Sequence, residues 1–377
     1  MHILIAPDSF KGSLTAPEAA EAIRSGILRV EKNIEMDLFP IADGGEGTAE
    51  MIAGCMNGEL IHATVSGPFE SGVSAHWALL PDHTAVIEVA QAIGLTLQPL
   101  KEHNALYASS YGVGELIRHA LDAGCRNFYI TAGGSATNDG GMGMAAALGV
   151  EFRDNNNQIL RGCGCNLDKI QSIDISALDP RIHESIFRVF CDVRNTLCGP
   201  DGASYIYGPQ KGATAEDVIR LDEGLRHYAQ LLSSKLNIDI LNIPGGGAAG
   251  GLAGGLIAFC NAKLCPGAAG ILEMCQAKER ISCSDLVITG EGCLDVGTSF
   301  GKACQAVSEL AAEYGIPVLV LSGSLKAHPD WSVFSAQESC VNSIMSLTEA
   351  IENASQLLSD ASERAIRLIL IGKSLTS

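Results

Sequence analysis

The chain is short of aromatic side chains, with 10 Phe, 7 Tyr and 2 Trp, whereas it has 42 glycines. This imbalance indicates tight backbone turns and close packing of helices on sheets. Basic residues are also few, and the formal net charge is -18. Such a charge argues against nucleic acid or an anionic membrane as the main partner, because both repel an acidic protein. An anionic small molecule stays compatible, since the local field of a cleft decides its binding.

Metal-binding cysteine patterns are missing, although the chain has 13 cysteines. Cys163 and Cys165 form the only close pair, without a Cys-x-x-Cys motif or a spaced histidine. The odd number and the scatter predict reduced, mostly buried thiols rather than a disulfide framework or a zinc site. No apolar run is long enough to cross a bilayer, and Met1 leads straight into an apolar strand. We therefore expect a soluble, cytoplasmic protein without a signal sequence.

The two ends of the chain share one pattern. Predicted strands at 2–6 and 36–41 are each followed by a polar glycine loop and a helix, and the same alternation returns with strands at 285–290 and 317–321. This alternation is typical of a parallel sheet covered by helices. The pattern therefore predicts one discontinuous, doubly wound α/β domain formed by residues 1–60 plus 281–377. Its last strand is expected at 341–345.

The pattern in the middle of the chain predicts an inserted second α/β domain, formed by residues 61–280. Strands near 60–65, 74–80 and 85–90 are separated by turn signals without a helix between them, which indicates an antiparallel meander and hence a mixed sheet. A helix over 106–121, a strand over 187–193 and a helix beginning at Thr214 are expected further along.

The stretch Tyr129–Gly143 gives the strongest functional signal. Its apolar strand breaks at paired glycines, and a loop of small polar residues precedes a helix. Such junctions present anions to backbone N–H groups, and glycine lets a ligand approach the main chain. The alternative for this loop alone is a simple strand–helix corner. The candidate anion-binding residues are Gly133, Gly134, Ser135, Thr137, Asn138 and Asp139.

Polar side chains also follow other predicted strands, next to glycine. Ligand sites lie beyond the carboxyl ends of parallel strands, so we expect these groups to meet in one cleft. Acids and lysines without a His or Cys cluster suit a Mg²⁺–phosphate site. In the alternative interpretation, Lys302 is merely solvated, and Asp43 and Glu46 complement a helix N-terminus. The further strand-end groups are Asp8, Lys11, Asp192, Glu291 and Asp295.

Nucleotide-binding motifs are missing or weak. Gly245–Gly250 matches Gly-x-Gly-x-x-Gly, but Pro244 precedes it and no ribose-binding acid follows. We therefore interpret it as small-residue packing of a helix near a site. Neither Gly301-Lys302 nor Gly372-Lys373-Ser374 has the preceding glycine of a Walker P-loop.

Six sequence blocks occur in order over nearly the entire chain. They are Pro7-Asp-Ser-Phe-Lys-Gly12, Ala42-Asp-Gly-Gly-Glu-Gly-Thr48, Gly133-Gly-Ser-Ala-Thr-Asn-Asp-Gly-Gly141, Cys191-Asp-Val193, Tyr207-Gly-Pro-Gln-Lys-Gly-Ala213 and Ile288-Thr-Gly-Glu-Gly292. Together these blocks resemble the glycerate kinase family of the bacterial, two-domain type. The resemblance implies ATP-dependent, Mg²⁺-dependent phosphorylation of D-glycerate, for most members to 2-phosphoglycerate, in the breakdown of glyoxylate and sugar acids. It also implies a flavodoxin-like domain and a second α/β domain likened to restriction endonucleases.

With this resemblance, we expect Asp192 to act as the general base and Asp43 or Asp295 to hold Mg²⁺. Lysines are expected to neutralise phosphate or the glycerate carboxylate, and the Gly133–Asp139 loop to bind anionic oxygens. Further binding residues are expected at two strand ends. The lysines are Lys11, Lys211 and Lys302, and the further residues are Asp8, Ser9 and Glu291.

Several alternatives stay open. One alternative is a kinase for another small hydroxy acid, and a second is a glycerate kinase that forms 3-phosphoglycerate. A third alternative is a non-catalytic protein that binds a hydroxy acid. The oligomeric state is open, with a homodimer among the options. Two blocks also depart from the family pattern: Arg194 and Thr196 stand where Thr and Pro are usual, and Cys293 and Gly297 replace Arg and Gln.

Overall fold

The computed structural model describes residues 1–42, 44–99, 103–294, 302–325 and 334–376. The strands are β1 (His2–Pro7), β2 (Glu35–Leu38), β3 (Glu59–Ser66), β4 (Gly72–Leu79), β5 (Thr84–Glu88), β6 (Asn127–Thr131), β7 (Glu151–Arg153), β8 (Ser172–Asp174), β9 (Ile186–Phe190), β10 (Lys263–Cys265), β11 (Leu286–Leu294), β12 (Val318–Leu325) and β13 (Ala336–Ser339). The α-helices are α1 (Ala16–Leu28), α2 (Thr48–Met56), α3 (Val89–Ile93), α4 (Tyr111–Asp122), α5 (Met142–Ala147), α6 (Ala203–Tyr207), α7 (Ala215–Leu236), α8 (Leu252–Cys260), α9 (Gly267–Met274), α10 (Ala277–Ser282), α11 (Lys302–Glu313), α12 (Leu347–Glu352) and α13 (Ala354–Thr376).

Two compact units make up the chain. The terminal unit comprises residues 1–43 and 268–377, and the central unit comprises residues 44–267. The domain boundaries predicted from the sequence, after residues 60 and 280, lie further along the chain than these two boundaries, after residues 43 and 267. Helix α2 packs against β4 and β5, and this contact places it in the central unit.

The terminal unit contains a five-stranded sheet in the order β13-β12-β11-β1-β2, and all neighbouring strands are parallel. Numbered along the chain within this unit, the order is 2-1-3-4-5, which is the flavodoxin-like arrangement. Strand β1 lies between β11 and β2, and Ile3–Ala6 are completely buried. The predicted doubly wound fold is therefore confirmed for this unit.

Helix α1 of the terminal unit has a local start signal and a close partner. Thr15 and Glu18 form a capping box at its N-terminus, as their spacing in the sequence suggests. Further along, α1 packs on α13, and a Cβ placed on Gly26 would lie 2.0 Å from the carbonyl oxygen of Ser359. Glycine is therefore required for this helix–helix approach.

The last predicted strand, at 341–345, is wrong. The edge strand is β13, whose Ala336 pairs with Leu319 of β12, whereas residues 341–345 form neither strand nor helix and Ile344 is exposed. An edge strand borrows its register from its neighbour, so its own short, mixed-polarity sequence gave a weak signal. The helix predicted over 106–121 begins later, at Tyr111.

The central unit contains a six-stranded mixed sheet in the order β10-β9-β6-β5-β4-β3. Strands β3, β4 and β5 form the predicted antiparallel meander, whereas β5, β6, β9 and β10 are parallel neighbours. A resemblance of this unit to restriction endonucleases stays a prediction. Because four parallel strands end at the same edge, the segments that follow them are brought together there.

No helix within the described ranges combines the length and the apolar character that a bilayer crossing requires.

We expect Gly26→Ala to destabilise the terminal unit by about 1–3 kcal/mol, because the added methyl group overpacks the contact between α1 and α13. Urea unfolding followed by circular dichroism measures this effect. Gly372→Ala is the matched control, since nothing lies within 4 Å of its Cβ position on α13. Equal stability of the two variants would contradict the packing argument.

Candidate functional site

Four parallel strands of the central unit end at one edge of the sheet, and each is followed by a residue or loop of interest. Glu88 is the last residue of β5, and Gly133–Asp139 follows β6. Asp192 lies two residues beyond β9, and Gly267 lies two residues beyond β10. Of the groups that were expected to meet in one cleft, the Gly133–Asp139 loop and Asp192 therefore share this edge of the sheet.

The Gly133–Asp139 loop is fixed by backbone hydrogen bonds to the last residue of α3 and to the segment that follows it. The N–H of Ala136 donates to the carbonyl oxygen of Ile93 at 2.7 Å, and the N–H of Leu95 donates to that of Gly134 at 2.8 Å. Gly134 has φ +70°, a conformation that side chains other than glycine adopt at a cost. The loop thus has a defined shape.

Lys211 is buried beside this loop. A 3₁₀ turn, Pro209–Lys211, carries it, and its Nζ donates to Ser135 Oγ at 3.1 Å and to the carbonyl oxygen of Thr137 at 2.7 Å. Burial lowers the pKa of Lys211 to about 7, and the negative charge of Asp139 acts in the opposite direction. Both of these hydrogen-bond partners are uncharged, so the ammonium group favours an anion at this place.

Two polar atoms of the same loop have no hydrogen-bond partner within the described part of the chain. They are Thr137 Oγ1 and Asn138 Oδ1, and both residues are completely buried. The amide nitrogen of Asn138 does have a partner, because Nδ2 donates to Ser204 Oγ at 2.9 Å. Buried polar atoms without partners are costly, so they indicate a place for a polar ligand or a water molecule.

Asp139 is completely buried, and its carboxylate accepts four hydrogen bonds. Oδ2 accepts from the N–H and the Oγ of Ser110, both at 2.8 Å, and from the N–H of Gly143 at 3.1 Å; Oδ1 accepts from the N–H of Gly141 at 3.1 Å. Ser110 directly precedes α4 and Gly141 directly precedes α5, so two helix starts point at one carboxylate. Burial raises the pKa of Asp139, whereas these four donors act in the opposite direction.

This arrangement changes the expected use of the start of α5. From the sequence, the N–H groups at this helix start were expected to bind an anionic ligand. Those of Gly141 and Gly143 instead donate to Asp139. Asp139 therefore replaces an external anion at this position, and its assignment as a ligand-binding residue stays a prediction.

The glycine cluster Gly245–Gly250 packs on the same region, as interpreted from the sequence. A Cβ on Gly250 would lie 2.0 Å from the carbonyl oxygen of Thr137, and a Cβ on Gly247 would lie 2.2 Å from that of Thr196. The cluster lets two chain segments of the site approach the start of α8. No structural feature of it indicates dinucleotide binding.

Asp192 is half-buried, and its Oδ1 accepts a hydrogen bond from the N–H of Gly267 at 2.7 Å. The segment after Asp192 is tied to the one that carries Lys211, because Tyr207 Oη donates to Asn195 Oδ1 at 2.7 Å. Arg194, which lies between Asp192 and Asn195 in the chain, is exposed. Two blocks that are distant in sequence are thus joined by a side-chain contact.

The segment Gly44–Thr48 lies against Gly133. A Cβ on Gly133 would be 3.0 Å from the carbonyl oxygen of Gly44, and Thr48 Oγ1 donates to the carbonyl oxygen of Gly45 at 2.8 Å. Glu46 is exposed and accepts from Thr96 Oγ1 at 3.0 Å. Asp43, predicted as a metal ligand, lies outside the described residues.

The remaining predicted residues belong to the terminal unit, at the point where its strand order reverses. The N–H of Asp8 donates to the carbonyl oxygen of Gly290 at 2.8 Å, so Asp8, which directly follows β1, lies beside Glu291, which lies within β11. The N–H of Ser9 donates to Asp8 Oδ1 at 2.6 Å. A Cβ on Gly292 would be 3.5 Å from the backbone nitrogen of Lys11. Such reversal points are the usual ligand sites of this fold.

Two further predicted residues cannot be placed at this site. Asp295 and the side chain of Lys302 lie outside the described residues, as does Gly297, whereas Lys302 begins α11. Within the described ranges, no three His, Cys, Asp or Glu side chains cluster as metal ligands. The donor chemistry near the end of β1 nevertheless consists of carboxylate oxygens, which suits a hard cation such as Mg²⁺.

All thirteen cysteines are free thiols, as predicted. Cys163 and Cys165 lie with their Sγ atoms 3.5 Å apart, and burial raises the pKa of Cys163 to about 12. A thiol of that pKa stays protonated and is a poor metal ligand or nucleophile.

Sequence reasoning missed Glu88, Ser110 and Ser204. Glu88 had a detectable signal, because it is a single acid inside the apolar run 85–90. Ser110 and Ser204 had none, since each becomes important only through a contact with the Gly133–Asp139 loop.

A buried lysine, polar loops at strand ends and separate carboxylates are the elements of a phosphoryl-transfer enzyme, which works by positioning and by neutralising charge. Comparison with known proteins agrees with this class. A model of the glycerate kinase family matches residues 3–370. The chain therefore belongs to the glycerate kinase family, and it is an enzyme of the kinase class.

Individual relatives cover almost the whole chain. Glycerate kinase from Halalkalibacterium halodurans is 45% identical over 364 residues, covering 95% of this chain and 96% of that protein. Glycerate 2-kinase from Escherichia coli is 41% identical over 380 residues, covering 99% of both. A crystal structure described as a candidate glycerate kinase 2 from Salmonella typhimurium LT2 matches with a TM-score of 0.88 at 42% identity, covering 99% of each chain.

We expect Asp139→Asn to lower the free energy of unfolding by about 1–3 kcal/mol, because the amide NH₂ group faces N–H donors that the carboxylate accepts from. Guanidinium unfolding measures the change. Asp82→Asn is the control: Asp82 is exposed and accepts from the N–H of Thr84, so its loss should cost about 0.5 kcal/mol or less. Similar costs for both variants would show that Asp139 does not organise the loop.

Proposed function

We propose that the chain transfers the γ-phosphoryl group of ATP to the 2-hydroxyl of D-glycerate and so forms 2-phosphoglycerate. Family membership over residues 3–370 supports the reaction class, and the relative named glycerate 2-kinase supports the position of transfer. The structural observation behind the proposal is the buried Lys211 ammonium beside Ser135 and Thr137. D-Glycerate and ATP are both anions that such a group attracts.

The Gly133–Asp139 loop holds the anionic substrate in this proposal. Lys211 neutralises either the glycerate carboxylate or a phosphate oxygen. Thr137 Oγ1 donates to an anionic oxygen, and Asn138 Oδ1 accepts from a hydroxyl, because both atoms lack a partner among the described residues. Gly133 and Gly134 leave room for the ligand beside the main chain.

Asp192 is the proposed general base. It takes the proton of the glycerate hydroxyl while the hydroxyl oxygen forms a bond to the γ-phosphorus, and the bond from this phosphorus to the ADP oxygen breaks. The hydrogen bond from Gly267 fixes Oδ1 and so orients the carboxylate. The proton then leaves Asp192 to solvent after the product dissociates.

Magnesium is proposed as the metal that accompanies ATP. When bound, it neutralises charge on the phosphate oxygens. Asp43 and Asp295 are the proposed ligands, with Asp8, Ser9 and Glu291 as further binding groups and Lys11 and Lys302 as neutralising cations. Asp8 directly follows β1 and Glu291 lies within the adjacent strand β11, and two carboxylates are a donor set that fits the hard cation.

Phosphorus NMR of the reaction with ATP and D-glycerate tests the proposal. The expected product is 2-phosphoglycerate together with ADP. Formation of 3-phosphoglycerate would overturn the position of transfer, and preferred turnover of another hydroxy acid would overturn the substrate. Absence of transfer with every hydroxy acid would favour a non-catalytic binding protein.

We expect Asp192→Asn to lower kcat by about 10²–10⁴-fold, because the amide cannot accept the proton. The fold should persist, since the amide oxygen still accepts from Gly267. Steady-state kinetics with a circular dichroism check measures both. Asp239→Asn, at an exposed aspartate that accepts from the N–H of Leu241, serves as the control. Near-normal turnover of Asp192→Asn would exclude this base.

We also expect KM for the anionic substrate to rise as the pH rises above about 7, because burial lowers the pKa of Lys211 to about 7 and the neutral amine no longer attracts an anion. A group that must be protonated gives a rise of up to about tenfold per pH unit. Lys211→Arg should remove this dependence, because arginine stays charged. An unchanged pH profile in Lys211→Arg would contradict the assignment.

A further inference from the structure

Glu88 is a completely buried carboxylate at the carboxyl end of β5. Its Oε1 accepts from the N–H of Ala49 at 2.5 Å, and its Oε2 accepts from the N–H of Gly47 at 3.3 Å. The side chain of Gln91 is a third hydrogen-bond partner. Burial raises the pKa of Glu88, whereas these three donors act in the opposite direction. Both oxygens therefore have a backbone donor in the interior of the central unit.

These two backbone donors belong to the start of α2. The residue before this helix is Gly47, which has φ +86° and no side chain that caps the helix. The first N–H groups of a helix have no partner within the helix and carry partial positive charge. Glu88 supplies the missing cap from a different strand, so its carboxylate fixes where α2 begins.

The segment Gly44–Thr48, which leads into α2, lies against Gly133 of the Gly133–Asp139 loop. The carbonyl oxygen of Gly44 and the Cα of Gly45 lie 3.0 and 3.2 Å from the Cβ position of Gly133. The side chain of Thr48 closes the segment by donating to the carbonyl oxygen of Gly45. A displacement of Gly47 would therefore move the surface that faces Gly133.

We propose that Glu88 is a positioning residue for phosphoryl transfer, whose carboxylate holds the segment Gly44–Thr48 against Gly133 so that this segment meets the bound substrates. The inference rests on the proposed function, because it assigns the Gly133–Asp139 loop to substrate binding. Glu88 itself is buried and acts through the backbone of Gly47 and Ala49. Phosphoryl transfer depends on positioning, so a shift of about 1 Å in this segment lowers the rate.

The chemistry of the site requires two acceptor atoms in one side chain. In Glu88→Gln, one oxygen becomes an NH₂ group that faces a backbone N–H, and one of the two hydrogen bonds is lost. The substitution preserves the size of the side chain and its burial in the core. A change in activity then reports the lost bond rather than a cavity.

The test compares Glu88→Gln with wild type by amide hydrogen exchange and by steady-state kinetics with ATP and D-glycerate. We expect exchange in a peptide covering residues 44–56 to be at least tenfold faster. We expect kcat/KM to fall at least tenfold, with the change concentrated in kcat or in KM for one substrate. The unfolding midpoint shows whether the loss of activity comes from a global loss of stability.

Glu115→Gln is the matched control. Glu115 Oε2 accepts from the N–H of Ser66 at 2.6 Å, at the end of the edge strand β3. The same substitution in the same unit also removes a negative charge, but the remaining amide oxygen still accepts the hydrogen bond from Ser66. Its kcat/KM should stay within twofold of wild type.

Three results would overturn the proposal. Unchanged exchange over residues 44–56 would show that Glu88 does not hold the segment. Faster exchange with kcat/KM equal to that of Glu115→Gln would show that the segment does not serve the reaction. A loss of activity that follows a lower unfolding midpoint would show a purely structural role. Failure of the proposed function is distinct from all three, because the wild-type protein would then not transfer phosphate to glycerate.

Discussion

The burial of two opposite charges, Asp139 and Lys211, is the constraint on which the site in the central unit depends. A buried charge is tolerated where protein groups replace the lost water. Asp139 has four such groups, all hydrogen-bond donors at the starts of α4 and α5. Lys211 donates to two uncharged oxygens instead. The carboxylate therefore organises the protein, whereas neither of these two hydrogen-bond partners of the ammonium group carries a charge, which is the basis for its proposed role as an anion-binding group.

The same kind of contact, a buried carboxylate at a helix start, occurs twice at this edge of the sheet. Asp139 and Glu88 both accept hydrogen bonds from backbone N–H groups at helix starts, and both sit in or beside loops that follow parallel strands. Glycines at Gly133 and Gly250 let the loops approach one another closely. Positioned loops of this kind suit phosphoryl transfer, because its catalysis consists largely of orientation and charge neutralisation.

Much of the architecture was predictable, because it is encoded locally. The alternation of strands, glycine loops and helices predicts the doubly wound parallel sheet, the family resemblance implies its flavodoxin-like arrangement, and the capping boxes at Thr15 and Thr214 mark helix starts. The edge strand β13 was not predictable, since its register comes from β12. The roles of Glu88 and Ser110 were also out of reach, because they depend on partners 29 to 41 residues away in the chain. Sequence pattern found Asp139 and the family resemblance added Lys211, but neither shows which charged groups the fold has already paired.

The central claim is that Lys211 is the cation that receives the anionic substrate, and NMR of its ¹⁵N-labelled Nζ tests this most directly. Lys211→Arg identifies the signal by its disappearance. The account predicts a pKa of about 7 in the free protein and a rise when D-glycerate or ATP with Mg²⁺ is added at saturating concentration, because a bound anion favours the charged form. A pKa that stays the same while both substrates are bound would contradict it.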